Sequence, residues 1–207
     1  MVLSAFAASA QTIKLNLYGN YVFDDKVESY YSTSNYFHGT IQGGFLWGGS
    51  VEFAMHDTYG LELLYLRQNT TAPVHYYDVY SLSERNADLG LNINWIMAGG
   101  IRSTKLSDKV EPFGGLLLGV AIIDGHNEES GNSGSATKFA WGLKAGINYW
   151  ANERFGIKFQ AQLLSAVQAA GGNVYFFGSG GNGGSVTAYS TMFQFALGGG
   201  LVFKFPR

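Results

Sequence analysis

Charged side chains of both signs recur at the polar positions of segments that otherwise alternate apolar and polar residues. Those singled out as one network are Lys14, Glu52, Glu62, Asp88, Lys144 and Lys158. Ammonium and carboxylate groups in such a set could line a polar pore as an ion-pair gate, or form a satisfied internal network that closes it. Because an isolated buried charge is very unfavourable, we expect these groups to be paired wherever they leave water.

Other residue types that could support catalysis or metal binding follow no recognisable motif. The chain has no cysteine, which excludes a thiolate nucleophile and a cysteine-based metal site. Counting cannot exclude a Ser/His/acid triad, but the histidines lie far apart in sequence, at His38, His56, His75 and His126. The acidic stretch 124–137 lacks the residue order of a calcium loop. We therefore predict no catalytic site, no metal site and no cofactor.

Two segments, 24–38 and 69–86, are dense in tyrosine, and a glycine-rich stretch at 171–185 carries a further aromatic cluster. Tyrosine offers a large, rigid contact surface with a polar tip and is enriched at recognition surfaces. The alternatives are that these rings stack on one another or lie at the level of lipid headgroups. The candidate binding residues are Tyr30, Tyr31, Tyr36, Tyr76, Tyr77, Tyr80, Tyr175 and Phe176.

The composition is unusual for a chain that must be covered by water. Charged residues make up 14% of the sequence, whereas a soluble domain carries about 25%. The net charge of -2 gives no broad electrostatic case for binding nucleic acid. No apolar run approaches the roughly 20 residues of a membrane helix. Since Ala8-Ser9-Ala10 has the form of a secretory cleavage site, the sequence predicts export and a closed membrane β-barrel.

Period-two alternation defines eight segments, the number expected of a small barrel. They are 13–23, 40–55, 60–68, 87–97, 111–123, 138–150, 154–164 and 189–205. The connections alternate between short ones (56–59, 103–110, 151–154) and long ones (24–38, 69–86, 124–137, 168–188). This predicts an all-β fold, a single eight-stranded antiparallel transmembrane barrel with short periplasmic turns and long extracellular loops. Residues 11–207 form that barrel domain, and residues 1–10 are the remnant of a signal peptide.

The composition of the two faces predicts which one contacts lipid. The polar face is mainly Gly, Asn, Gln, Ser and Thr, with fewer charges than the outside of a soluble ligand-binding barrel would carry. Aromatic residues at strand ends predict interfacial girdles: Trp95, Trp141, Tyr149, Phe155, Tyr189, Phe203 and Phe205. In segment 87–97 this places Leu89, Leu91, Ile93, Trp95 and Met97 outside and Asp88 inside. Bulky residues expected to narrow the lumen are Tyr18, Leu46, Leu64 and Trp150.

The eight alternating segments, the YGLELLYL strand at 59–66 and the glycine-rich terminal strand LGGGLVFKF at 197–205 resemble OmpA/OmpX-type outer-membrane β-barrel domains. The resemblance covers nearly the whole chain from Ile13. It implies the bacterial outer membrane as location, with outer-membrane lipid and lipopolysaccharide as surroundings.

These features favour a structural or binding protein with a packed, largely closed lumen over an enzyme. Recognition would use the outer loops, or the barrel would be an accessory subunit bound to another envelope protein. The alternatives are a small pore or, with less support, a lipid-modifying outer-membrane enzyme using His38 near the outer rim. No nucleic-acid partner is expected.

Overall fold

The computed structural model describes residues 12–32, 35–78, 83–127, 133–167, 175–177, 184–186 and 192–206. The predicted signal remnant at 1–10 lies outside these ranges, as do Tyr80 and Tyr189. No helix among the described residues is long and apolar enough to cross a membrane.

Twelve strands account for almost all of the described chain. They are β1 (Thr12–Val22), β2 (Asp25–Ser32), β3 (Asn35–Ile41), β4 (Gly44–Ala54), β5 (Tyr59–Asp78), β6 (Ser83–Ser103), β7 (Val110–Asn127), β8 (Ser133–Trp150), β9 (Phe155–Val167), β10 (Tyr175–Phe177), β11 (Gly184–Val186) and β12 (Met192–Pro206). The predicted eight barrel strands are confirmed as β1, β4, β5, β6, β7, β8, β9 and β12. The three predicted short turns join β4 to β5, β6 to β7 and β8 to β9.

Antiparallel pairing closes these eight strands into a barrel, because β1 pairs with both β4 and β12. If paired residues are followed around the barrel from Ile13 on β1, the path returns at Phe23, the residue just after β1 and ten positions further along the chain. It passes through Phe53, Leu61, Gly100, Leu116, Leu143, Leu163 and Phe195, whose carbonyl accepts the Phe23 amide. This stagger tilts the strands from the barrel axis by roughly 35–45°, as eight-stranded closure requires.

The outer wall is apolar and carries two aromatic belts. The belt near the long-hairpin end consists of Tyr21, Phe23, Phe45, Trp47, Phe139, Trp141, Phe193 and Phe195. The belt near the short-turn end consists of Phe53, Tyr59, Tyr149, Phe155, Phe203 and Phe205. An apolar band between aromatic girdles is typical of transmembrane β-barrels.

Strand β6 corrects the prediction for segment 87–97. Leu91, Ile93, Trp95 and Met97 are buried in the lumen, whereas Ile96 is exposed on the outer wall; the side chain of Leu89 is not described. Trp95 therefore does not belong to a girdle. The pattern misled because the apolar side chains of this segment fill the lumen, whereas its outward face carries Asn92 and Asn94. Asn94 lies near the outer belt, where it accepts a hydrogen bond from the Tyr65 hydroxyl at 2.9 Å.

Three of the four predicted long loops consist largely of strand, which is a second correction; the fourth, 168–188, lies mostly outside the described residues. Segment 24–38 contains β2 and most of β3, and 69–86 contains the ends of β5 and β6. Segment 124–137 likewise belongs largely to β7 and β8. Strands β2, β3, β5 and β6 pair in that order and continue the barrel wall beyond the outer belt. Segments 24–38 and 69–86 contain several Tyr, Thr and Val residues, which favour strands.

Glycine flanks the inward Tyr18 on both neighbouring strands. Tyr18 is paired with Gly48 on β4 and with Gly200 on β12. A Cβ atom on Gly48 would overlap the Tyr65 carbonyl oxygen, and one on Gly200 would overlap that of Leu17. Glycine therefore allows β4 to approach β5 closely, and β12 to approach β1 closely, at the level of Tyr18.

We expect Gly200→Ala to destabilise the barrel by about 1–3 kcal/mol, because the added methyl group forces the strands apart. The matched control is Gly100→Ala, since a Cβ atom there meets nothing within 4 Å; it should change stability by about 0.5 kcal/mol or less. Urea unfolding in detergent micelles measures both variants. Equal effects would contradict the close-approach explanation.

Candidate functional site

The barrel lumen is polar at its short-turn end, where Lys14 joins two carboxylates. Its Nζ atom lies 2.6 Å from Glu111 Oε1 and 3.2 Å from Glu52 Oε1. The Trp150 indole N–H donates to the other oxygen of Glu111 at 2.7 Å. Strands β1, β4, β7 and β8 each contribute one inward residue, so this cluster links four strands through side-chain contacts inside the lumen.

A second cluster lies deeper in the lumen around Tyr18. The Lys144 ammonium lies 2.5 Å from the Glu62 carboxylate, and the Tyr18 hydroxyl donates to the same carboxylate at 2.8 Å. Ser50 Oγ lies 2.8 Å from the Tyr18 hydroxyl and accepts a hydrogen bond from the Asn16 amide at 3.0 Å. The Lys144–Glu62 pair is almost completely inaccessible to solvent, so its strength depends on mutual compensation of charge.

Lys158 completes the charged set without a hydrogen-bond partner among the described residues. Its Nζ atom is buried, 4.0 Å from Glu52 Oε2. It lies over the rings of Phe113 and Tyr18, 4.3 and 5.6 Å from their centroids. A cation over an aromatic face is stabilised by the ring quadrupole. Three ammonium groups (Lys14, Lys144 and Lys158) thus oppose three carboxylates (Glu52, Glu62 and Glu111).

The outer part of the lumen is filled by apolar side chains, which we call the plug. Its fully buried members are Val22, Leu46, Leu66, Ile93, Trp95 and Leu164. A hydrogen bond of 2.8 Å from the Gln194 amide to Gln68 crosses it. The polar cavity therefore lies toward the short-turn end, and the plug fills the described lumen toward the outer hairpins.

The structure brings five residues of the predicted network into the lumen clusters: Lys14, Glu52, Glu62, Lys144 and Lys158. Asp88 lies on β6 opposite Pro73 and shares strand parity with Asn92 and Asn94 rather than with the inward Trp95; its side chain is not described. Glu111, Ser50 and Trp150 take part instead. Glu111 occupies a polar position of the alternating segment 111–123. Nothing in the sequence indicates that the Trp150 indole would donate a hydrogen bond to it.

Among the candidate tyrosines, the structure brings those of the outer hairpins into one sheet. Tyr30 is paired with Tyr36 between β2 and β3, and Tyr76 is paired with Phe37 between β5 and β3. Tyr31 lies at an irregularity of β2, and Tyr77 lies next to Tyr76 on β5. Tyr175 and Phe176 belong instead to the separate two-stranded sheet β10–β11.

Two aspartates fix the base of the β2–β3 hairpin to the barrel. The Gly43 amide donates to Asp24 at 2.7 Å, and the Phe193 amide donates to Asp25 at 2.9 Å. Burial raises the pKa of the Asp25 carboxyl, although the Phe193 N–H opposes this shift. These bonds position the outer sheet relative to the aromatic belt.

The histidines do not converge with acids on a described site. His56 and His126 are exposed, and His38 is paired with His75 in the outer sheet. Within the described ranges, no group of three His, Asp or Glu side chains is placed to hold a metal ion.

Comparison with solved structures finds the same fold. The chain matches the N-terminal β-barrel domain of Pseudomonas aeruginosa OprF (TM-score 0.55, 16% identity, 95% of this chain and 98% of that one). It also matches Neisserial surface protein A (0.56, 12%, 95% and 98%) and the outer membrane protein OprG from Pseudomonas aeruginosa (0.56, 13%, 96% and 98%). No protein-family model and no curated protein sequence matches the chain.

The fold therefore defines the class of structure: a closed eight-stranded antiparallel β-barrel with the same fold as these outer-membrane barrels. The predicted fold is confirmed, and the apolar wall between aromatic belts fits a bacterial outer membrane.

Proposed function

We propose that this chain is a non-conducting outer-membrane barrel that presents a tyrosine-rich sheet to a protein partner outside the cell. The observation that carries the proposal is the continuation of the wall into β2, β3, β5 and β6. This sheet gathers Tyr30, Tyr36 and Tyr76 above the outer belt.

The barrel provides a rigid support for such a sheet. The hydrogen bonds of Asp24 and Asp25 fix the base of one hairpin, and β5 and β6 run from the lumen into the sheet without interruption. A preorganised surface loses less conformational entropy on binding than a flexible loop does. The plug argues against the alternative of a pore, because it fills the outer part of the lumen.

The test is photo-crosslinking on intact cells with a photoreactive amino acid at Tyr77. We expect a discrete protein adduct that is lost when Tyr30→Ser and Tyr36→Ser are combined, while resistance to SDS without heating shows that the barrel remains folded. The same probe at Leu106, exposed in the β6–β7 turn on the opposite side, is the control. Absence of an adduct at position 77, or adducts at position 106 alone, would refute the proposal.

A further inference from the structure

A polar cavity of about 360 Å³ opens at the short-turn mouth of the barrel, and we call it the vestibule. Its inner wall includes Lys14, Glu52 and Glu111, and its rim includes Lys105 and Lys204. This volume lies within the range of about 300–1,000 Å³ found for small-molecule sites. The vestibule is at the opposite end of the barrel from the tyrosine-rich sheet, so the two proposals are independent.

The carboxylates of the inner wall already have partners. Glu111 accepts hydrogen bonds from Lys14 and from the Trp150 indole through its two oxygens. Glu52 pairs with Lys14 through one oxygen and faces Lys158 with the other. These acids are therefore compensated from within the barrel and contribute little net negative potential to the cavity.

The rim lysines have no such compensation. Among the described residues, no carboxylate lies within ion-pair distance of Lys105 or Lys204; Lys204 instead lies 5.8 Å from the centroid of the Trp150 ring. Hydroxyl groups of Thr12 and Thr58 line the same cavity as neutral donors, whereas Ser103 donates to Glu111. The opposing group is Asp57, which is exposed on the rim beside His56.

We propose that the vestibule is a binding site for an oxyanion, a phosphate or carboxylate group, held chiefly by Lys204 with Lys105. Lysine binds either group as a compact point charge, and neighbouring hydroxyl groups complete the coordination of its oxygens. The ligand reaches this site from the periplasmic side, because the plug closes the other end of the lumen.

The test uses the indole N–H resonance of Trp150, which touches both Glu111 and the vicinity of Lys204. The ¹⁵N-labelled protein in micelles is titrated separately with inorganic phosphate and with glutarate at constant ionic strength, which keeps charge screening fixed. We expect a saturable shift of the Trp150 resonance and none for Trp47 or Trp141 on the outer wall. Saturation by phosphate alone assigns a phosphate ligand, and saturation by glutarate alone assigns a carboxylate.

Variants separate a built site from diffuse surface charge. Lys204→Gln should raise the apparent Kd about fivefold or more, while Asp57→Asn should lower it, because the repelling charge is removed. Lys109→Gln is the matched control: it lies in the same turn as Lys105 but does not line the cavity, and it should change the Kd by less than about twofold. Lack of saturation with both anions, or an equal effect of Lys109→Gln, would overturn the proposal.

Discussion

Glu62→Gln should destabilise the barrel by about 3–5 kcal/mol, which is the usual loss when one partner of a buried ion pair is removed. The substitution leaves the Lys144 ammonium enclosed without its carboxylate and weakens the hydrogen bond from Tyr18. Urea unfolding in detergent micelles, followed by tryptophan fluorescence, measures the free energy of unfolding. The exposed control Glu153→Gln, in the β8–β9 turn, should stay within about 0.5 kcal/mol of the wild type.

The double variant Glu62→Gln/Lys144→Met distinguishes charge compensation from packing. Removing both charges eliminates the uncompensated ammonium, so we expect the double variant to be more stable than Glu62→Gln alone. If the stability losses of Glu62→Gln and Lys144→Met, measured singly, add up to that of the double variant, the two residues are not energetically coupled. Our account of the lumen would then be wrong.

Trp95→Ala should also cost about 3–5 kcal/mol, since it removes a fully buried ring from the plug and leaves a cavity. Trp95 is paired with Leu66 and Ala121. Neither of these side chains is long enough to fill the space that the indole ring would leave. The same unfolding assay applies, and planar-bilayer recording provides a second readout. We expect the wild type to be silent and the variant to show conductance.

Trp141→Ala is the matched control for the plug, because Trp141 faces outward near the outer belt, where its ring contacts Phe193 at 6.2 Å between centroids. It should cause a clearly smaller loss of stability and no conductance. A conducting wild type, or a silent and fully stable Trp95→Ala variant, would show that the apolar side chains do not close the lumen.

The fold was predictable because alternation is local. In β1 and β8, every second residue faces lipid, and this follows from strand geometry alone. The pattern failed on β6, where Trp95 and Ile96 are both large and apolar and only the volume available in the lumen decides which of them points inward. The strands of the outer hairpins were not predicted, because they lie beyond the lipid and their sequences are not constrained to alternate between apolar and polar residues.

The ion-pair partners depend on the stagger of the barrel and could not be predicted from single segments. Lys14 and Glu52 are directly paired across β1 and β4, so knowledge of that register would have identified them. Glu111, in contrast, meets Lys14 from the far side of the lumen, 97 residues away in sequence. Such contacts exist only after closure with a ten-residue stagger.

The seam between β1 and β12 has a kinetic consequence for assembly. Its paired residues are separated by 174 positions, from Val22 to Ala196, up to 194 positions, from Thr12 to Pro206. Each other pair joins barrel strands that follow one another along the chain, and pairing of residues close in sequence forms faster than pairing that must close a long loop. The seam therefore forms last, and a chain interrupted before β12 keeps two open edges, on β1 and on β9. Unpaired edges of this kind add strands from other chains, so an unfinished barrel is a nucleus for aggregation until its final strand arrives.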